Sequence, residues 1–575
     1  MNLRAGSPAT TGSRLSTAVR KVFWTIIPVC WLIQGASYPH NIQPDGISYL
    51  DIASSCAKGN WHALVNAYWS PAYSVLMALW LSIVRPSPSR EVLSLHFFNA
   101  LLLLGAFFCF ELFLSSLSRY FQSRKDDDEF AGLPFYAVET IAYVLFFWAS
   151  LYLTPPSLDT PDAMIFGIVL AAGAVLLQIG SGQNGWSQFA LLGAVLGFGF
   201  LAKAVMFPLA FVFMAFSLVA DGSIRRATPK LIVCILVFAL ISGPFIFALS
   251  KSKGRFTFND TSAIAYAEYI NGIALFVHWQ GGPPGTGEPK HPERKIFDNP
   301  AAYEYATPIG GTYPPWSDPS YWYDGVKPHF QLGNQLNAMR IGFERYFDVF
   351  TQLSAVFAGF LVLFFWSRDW AGFFRRTLQL SFLWFPAVAA FGLYSLVHVE
   401  DRFLPGFVIL LVIALFSAIR FRDAEKNVEP VRAVVWAVVA ILGLQIAWSV
   451  GHSVIRLASH RPVPEREIVE ALNSKGVTAG DRVSFLGDAA FDHYWARLGR
   501  FRIVAEVPGR ETTAFWAASP EIQSRVIEAF AQVGSQAVLA QNPPKNMLAR
   551  GWQQIGGTNY YVLFTPGNLE KPSQP

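Results

Sequence analysis

Apolar runs close to 18 residues long recur along this chain, separated by short stretches rich in Lys, Arg, Gly and Pro. A run of about 18 residues or more is what a helix needs to cross some 30 Å of hydrocarbon. The pattern predicts spans near residues 22–37, 93–114, 135–153, 161–179, 189–204, 206–220, 231–249, 349–366, 378–397, 403–419 and 431–450. One further run, Pro71–Val84, is about 14 residues long and reads as a re-entrant or interfacial helix. That choice sets the side of everything downstream. If Pro71–Val84 does not cross, the short loops dense in Lys and Arg, such as 119–125, 225–230, 368–376 and 420–432, fall on the cytoplasmic side together with the basic N-terminus. If it crosses, they fall outside. The positive-inside rule therefore favours about 11 spans with a cytoplasmic N-terminus.

The polar stretches left on the outer side are three. Residues 39–92 form a first external loop. Residues 250–346 form a cap whose Pro-Gly turns and interleaved aromatics predict an ordered structure, with a helix at Ala263–Ile273. Residues 456–575 alternate helix and strand: helices at Glu465–Asn473 and Pro520–Phe530, strands at Asp481–Leu486, Phe501–Val507, Gln536–Ala540 and Asn559–Phe564. The expected fold is mainly α: a polytopic helical membrane protein, residues 1–455, with a small external α/β domain, residues 456–575.

Composition agrees with that class. Of 575 residues, 53% are hydrophobic and 14% charged, where a soluble domain carries about 25% charged. The net charge of +5 is spread over the loops and forms no nucleic-acid footprint. Cys30, Cys109 and Cys234 lie in apolar runs and Cys56 stands alone, so no disulfide framework is implied. The first apolar run has no small-residue cleavage site and reads as an anchor.

Charges at a membrane rim are costly, so each is a candidate for function. Asp45, in Gln43-Pro44-Asp45-Gly46-Ile47-Ser48-Tyr49, reads either as a turn or capping residue or as a reactive carboxylate. Asp51 reads as a solvated helix residue. Asp159 and Asp162, in Leu158-Asp159-Thr160-Pro161-Asp162, read as caps of the next span or as site residues. Lys203 is a lone cation between two apolar runs, either snorkelling or holding an anionic head group. In His398-Val399-Glu400-Asp401-Arg402, Arg402 could hold a phosphate bidentately or pair with Glu400 or Asp401. His278 and His291 show no metal-ligand spacing. There is no nucleotide-phosphate loop, Cys–His pair or Ser-His-Asp order. Polar residues gathered on the outer face suggest a donor carried in the membrane.

These motifs resemble the GT-C superfamily of polytopic glycosyltransferases, in the branch of the protein O-mannosyltransferases and the lipid A aminoarabinose transferases. Pro44-Asp45-Gly46 with Tyr49 looks like that family's first-loop motif of Pro-Asp-Glu followed by Tyr. Gly46 stands where the second acid is usual, which bears on any divalent metal. Trp69-Ser70-Pro71-Ala72-Tyr73, Thr160-Pro161-Asp162-Ala163, Leu201-Ala202-Lys203-Ala204 and Asp401-Arg402-Phe403-Leu404-Pro405 are similar to further family segments. The resemblance covers roughly residues 20–420. It implies transfer of a sugar from a polyprenyl-phosphate donor to a protein, lipid or glycan acceptor at the periplasmic face of a bacterial inner membrane. It further implies Asp45 as general base, Lys203 and Arg402 on the phosphate, and Asp162, Asp159, Tyr49 and His398 around the substrates. Two other classes fit a polytopic chain: a lipid or solute transporter, and a non-catalytic envelope-assembly protein. A transporter is expected to show paired halves, and no internal repeat is visible.

Overall fold

The computed structural model describes residues 8–123, 131–273, 279–291, 294–422, 424–459, 462–544 and 551–565. Each predicted apolar run falls on a helix or largely so. By length and composition, 5 helices among the described residues can cross a membrane, or up to 7 if each of two bent pairs is one span. The protein is a polytopic helical membrane protein. The long members are Pro88–Ser123, Phe135–Tyr152, Asp162–Gly180, Ile224–Lys253 and Lys426–Ala458; shorter apolar helices are Trp186–Ala202, Met206–Asp221 and Pro405–Ser417. Helix Pro71–Val84 has 14 residues, about 21 Å of rise against some 30 Å of hydrocarbon.

Residues 349–366 and 378–397 are expected from their apolar pattern as simple spans. Each is instead part of a bent pair: Leu332–Gln352 meets Ser354–Ser367 at 73°, and Trp370–Gln379 meets Ser381–Ser395 at 78°. The first helix of the second pair is pinned at its far end from the bend. Asp369 caps helix Trp370–Gln379 through Gly372 N and holds Arg376 at 2.6 Å. Arg376 in turn donates to Ala418 O at 2.8 Å.

Close helix approach rests on small residues, as expected without a hydrophobic drive between helices in lipid. A Cβ on Gly193 would sit 2.2 Å from Cys234 O, and one on Gly167 3.0 Å from Ala106 Cα. Around Phe107, stacked rings of Phe110 and Phe146 fill the bundle.

Outside the bundle the strands are β1 (Ala131–Gly132), β2 (Lys295–Phe297), β3 (Ala302–Glu304), β4 (Arg420–Phe421), β5 (Arg482–Leu486), β6 (Arg502–Val507), β7 (Ala537–Gln541), β8 (Gln553–Gln554) and β9 (Tyr560–Phe564). β1 and β4 make a small ladder. The other strands form one 7-stranded sheet ordered β2-β3-β6-β5-β7-β9-β8. Its centre is parallel, β6 and β7 flanking β5, with helices Pro464–Ser474 and Pro520–Gln532 beside it. All four predicted tail strands are present. β2 and β3 belong to the 250–346 segment, so cap and tail share a sheet that neither completes alone.

The tail docks on the bundle through a buried cluster. Arg497 forks onto Glu91 at 2.9 and 2.8 Å and reaches Asp51 Oδ1 at 2.7 Å. Arg500 adds a bond to Glu91 at 2.9 Å. Asp51 is therefore not a solvated helix residue. It also accepts from Thr312 N at 2.7 Å and Thr312 Oγ1 at 2.9 Å.

Candidate functional site

Helix Pro44–Ala57 starts with Pro44, whose fixed φ suits a first helical position, and Asp45 sits in its first turn, where a carboxylate meets the positive helix end. Asp45 Oδ1 accepts from the Trp316 indole at 3.1 Å. Asp45 Oδ2 accepts from Arg402 Nη2 at 2.9 Å. Arg402 lies in the short turn Asp401–Phe403 that joins helices Ser381–Ser395 and Pro405–Ser417. Its Nε is 2.6 Å from Glu400 Oε2 and 3.8 Å from Asp162 Oδ2.

Asp162 opens helix Asp162–Gly180 and accepts from Thr160 Oγ1 at 2.6 Å. Lys203 follows helix Trp186–Ala202 and donates to Asp162 Oδ1 at 2.5 Å. Its ammonium stands 3.7 Å from the centre of the Phe403 ring, a cation–π contact. Four segments distant in sequence thus meet in one cluster of three carboxylates (Asp45, Asp162, Glu400) and two cations (Arg402, Lys203). The side chain of Asp162 is 1% exposed, whereas that of Asp45 is 21% exposed and accessible to a substrate.

The electrostatics are those of a charge-sharing site. Burial alone would push the Glu400 carboxyl up, but the hydrogen bond from His398 and the Arg402 charge outweigh it and hold it at about 2. Against its own burial, Arg402 is raised by Asp45, Asp162 and Glu400, so its proton is secure. His398 reaches the cluster only through Glu400, at 3.3 Å, and its ring stacks on Tyr269 at 4.1 Å.

Of the remaining sequence candidates, Tyr49 lines the cluster and Asp159 stands apart from it. Tyr49 is one turn beyond Asp45, buried among Trp69 and Tyr73 with ring centres 4.9 and 5.2 Å away. It walls the site and takes no part in the ion cluster. Asp159 is fully buried beneath helix Pro44–Ala57, 3.5 Å from His96 Nε2 and accepting from Asn99 Nδ2 at 2.9 Å. It holds the loop 154–162 to helix Glu91–Ser123.

Three residues were missed from sequence. Trp316 is the second partner of Asp45. Glu400 reads in the sequence only as an ion-pair partner of Arg402. Glu268, on helix Thr261–Tyr269, carries a buried Oε1 with no hydrogen-bond partner among the described residues, and burial pushes its carboxyl up to about 8. A lone acid on a short helix gives no signal of that kind.

A divalent metal finds no ligand set here. Among the described residues no three His, Cys, Asp or Glu side chains are grouped so that they could hold a metal ion, and the cluster carboxylates are each engaged by Arg402 or Lys203. His291 stacks on Tyr321 at 4.0 Å; His278 lies outside the described residues.

No protein-family model and no curated protein sequence matches this chain. Solved structures do. The ArnT of Cupriavidus metallidurans bound to undecaprenyl phosphate superposes with a TM-score of 0.53 at 12% identity, covering 97% of this chain and 99% of that one. Its apo form gives 0.51 at 11% identity, with the same coverage. An oligosaccharyltransferase of Archaeoglobus fulgidus in complex with Zn and sulfate gives 0.45 at 12% identity, covering 90% of this chain and 68% of that chain. The fold of this protein is that of the Cupriavidus ArnT, matched over 97% of this chain.

Proposed function

We propose that this protein is a membrane glycosyltransferase that moves a sugar from a polyprenyl-phosphate donor to an acceptor on the outer face of the membrane. The observation that carries the reading is the Asp45–Arg402 pair, whose side chains are 21% and 14% exposed, with Trp316 of the cap bonded to Asp45. The ArnT neighbour, solved with undecaprenyl phosphate, supports the class of donor. The cell would be bacterial, the membrane the inner one, the N-terminus cytoplasmic and the C-terminal domain periplasmic.

The chemistry follows from the charges. Three carboxylates face two cations, so the cluster by itself does not attract an anion. A phosphate that enters must draw Arg402 away from Asp45. The guanidinium fork suits that exchange, because it can bind two phosphate oxygens at once. Lys203, steered by Asp162, supplies the second positive charge. Release from Arg402 leaves Asp45 Oδ2 free, while Oδ1 stays on the Trp316 indole. Asp45 Oδ2 then takes the proton of an acceptor hydroxyl or amine. The acceptor atom bonds to the anomeric carbon with inversion, the bond from that carbon to the phosphate oxygen breaks, and the electron pair leaves on the phosphate. Arg402 and Lys203 stabilise that charge. The cap excludes water that would otherwise take the sugar.

The test is turnover in nanodiscs with a panel of polyprenyl-phosphate sugars, envelope lipids and glycans being supplied as acceptors. Wild type should release free polyprenyl phosphate, and Asp45→Asn should lose roughly 10²–10⁴-fold in rate. Equal release by both removes Asp45 from the centre of the mechanism. No release from any donor overturns the enzyme reading in favour of transport or assembly.

A further inference from the structure

The second partner of Asp45 does not belong to the bundle. Trp316 sits on a strap, residues 309–317, that the cap lays between helix Pro44–Ala57 and strand β6. On the bundle side, Trp316 O accepts from Ser48 Oγ and Trp69 Nε1, both at 2.8 Å, and Ser317 O accepts from Asn66 at 2.9 Å. On the tail side, Tyr313 Oη donates to Glu506 Oε1 at 2.9 Å, Ile503 N donates to Thr312 O at 2.9 Å, and Arg502 donates to Ile309 O. Tyr313 and Glu506 are each 1% exposed.

The strap also turns tightly. Gly311 has φ +94°, and a Cβ there would meet Ser317 Oγ at 2.5 Å and Asp51 Oδ2 at 3.2 Å. Asp51, which ties Thr312 down, is itself held by Arg497 of the tail. The path from the tail to the reactive carboxylate is therefore continuous: Glu506 to Tyr313, three residues along the strap to Trp316, and the indole to Asp45.

We propose that the C-terminal domain is a working wall of the Asp45 site, with Glu506 and Tyr313 as positioning residues that hold the Trp316 indole against Asp45 Oδ1. The chemical need is specific and rests on the function proposed above. When Arg402 turns to the donor phosphate, Asp45 loses its only other partner among the described residues. The indole then sets the rotamer that points Oδ2 at the acceptor. A tail that only selected acceptors would require none of these bonds.

The experiment uses the full chain in nanodiscs. Variants are Tyr313→Phe, which removes one hydroxyl, Glu506→Ala, and Glu506→Gln, whose amide oxygen still accepts from Tyr313. Turnover and amide exchange of the strap are both read. Tyr313→Phe and Glu506→Ala should lower kcat roughly 10- to 100-fold with the donor KM unchanged, the scale of a small misplacement of a reacting group. Both should lose amide protection over 309–317, and Glu506→Gln should restore protection and rate. Unchanged kcat, or an effect confined to the acceptor KM, overturns the proposal. If wild type turns over no donor, the function has failed and exchange decides the positioning link. Lost strap protection in Tyr313→Phe and Glu506→Ala, restored in Glu506→Gln, then upholds the link, and an unchanged strap overturns it.

Discussion

Gly46 packs so closely over Asp159 that a Cβ at position 46 would lie 2.6 Å from the Asp159 Cβ and 3.1 Å from its carbonyl oxygen. This is the position where the motif that Pro44-Asp45-Gly46 resembles carries a second acid. Here the loop 154–162 occupies that space, and the nearby acid is Asp159, turned away toward His96. The glycine at this position is thus a packing requirement, and Asp45 has no adjacent carboxylate on its own helix turn.

Restoring an acid at that position should therefore harm the protein. Gly46→Glu is expected to cost about 1–3 kcal/mol through overpacking, and Gly46→Ala to lie in the same direction. A thermal melt in detergent gives the sign. An unchanged midpoint for Gly46→Glu would mean that the loop yields freely.

Asp159→Asn separates scaffold from chemistry. Asn keeps an acceptor for Asn99 but loses the charge that faces His96. A loss of about 1–3 kcal/mol is expected for a disturbed buried bond. Turnover per folded molecule should match wild type, whereas a selective fall in kcat would return Asp159 to the reacting centre.

Arg402→Lys tests the phosphate assignment. Lysine keeps the charge and loses the planar fork shared between Asp45 and Glu400. Loss of a charged hydrogen bond is worth about 1.5–3 kcal/mol, so undecaprenyl phosphate should bind roughly 10- to 100-fold more weakly. Titration of the lipid phosphate into nanodiscs measures it. Equal affinity would place the phosphate elsewhere.

Arg497→Met removes the cation between Asp51 and Glu91. Two buried carboxylates are then left facing each other, and about 3–5 kcal/mol of docking is expected to go. Limited proteolysis should show the tail released from an otherwise intact bundle. Persistence of the protected tail would mean that the shared sheet alone holds it.

The tail interface should also weaken in alkali. Burial raises the Glu506 carboxyl to about 8, opposed by hydrogen bonds from Tyr305 and Tyr313 and reinforced by Asp488. The folded state therefore binds this proton more tightly than the unfolded chain does. Its contribution to stability is complete below the ordinary carboxylate value near 4.5 and is lost as pH rises through about 8. Glu268, raised to about 8 by burial, acts in the same sense. Melting midpoints from pH 5 to 9 should fall across that window, and Glu506→Gln should flatten the slope. A midpoint that rises with pH contradicts the sign.

What could be read from sequence was local. An apolar run near 18 residues carries its own solvent preference, so the helices and the membrane class were legible, and so were tail strands of five or six residues such as Arg482–Leu486 and Arg502–Val507. Asp45, Asp162, Lys203 and Arg402 were legible as charges at span ends, where a stranded charge must have a reason. The tertiary structure alone decided which of them meet. Arg402 and Asp45 are 357 residues apart, and Trp316 and Asp45 are 271 apart. Asp51 looked solvated because its partner Arg497 is 446 residues away. The three-residue strands Lys295–Phe297 and Ala302–Glu304 have no period to detect; β6 offers its edge to Ala302–Glu304, which in turn pairs with Lys295–Phe297. Hydrophobic burial is written into each segment's own composition, whereas pairing of buried charges and of strand edges depends on which segments the packed bundle brings into reach.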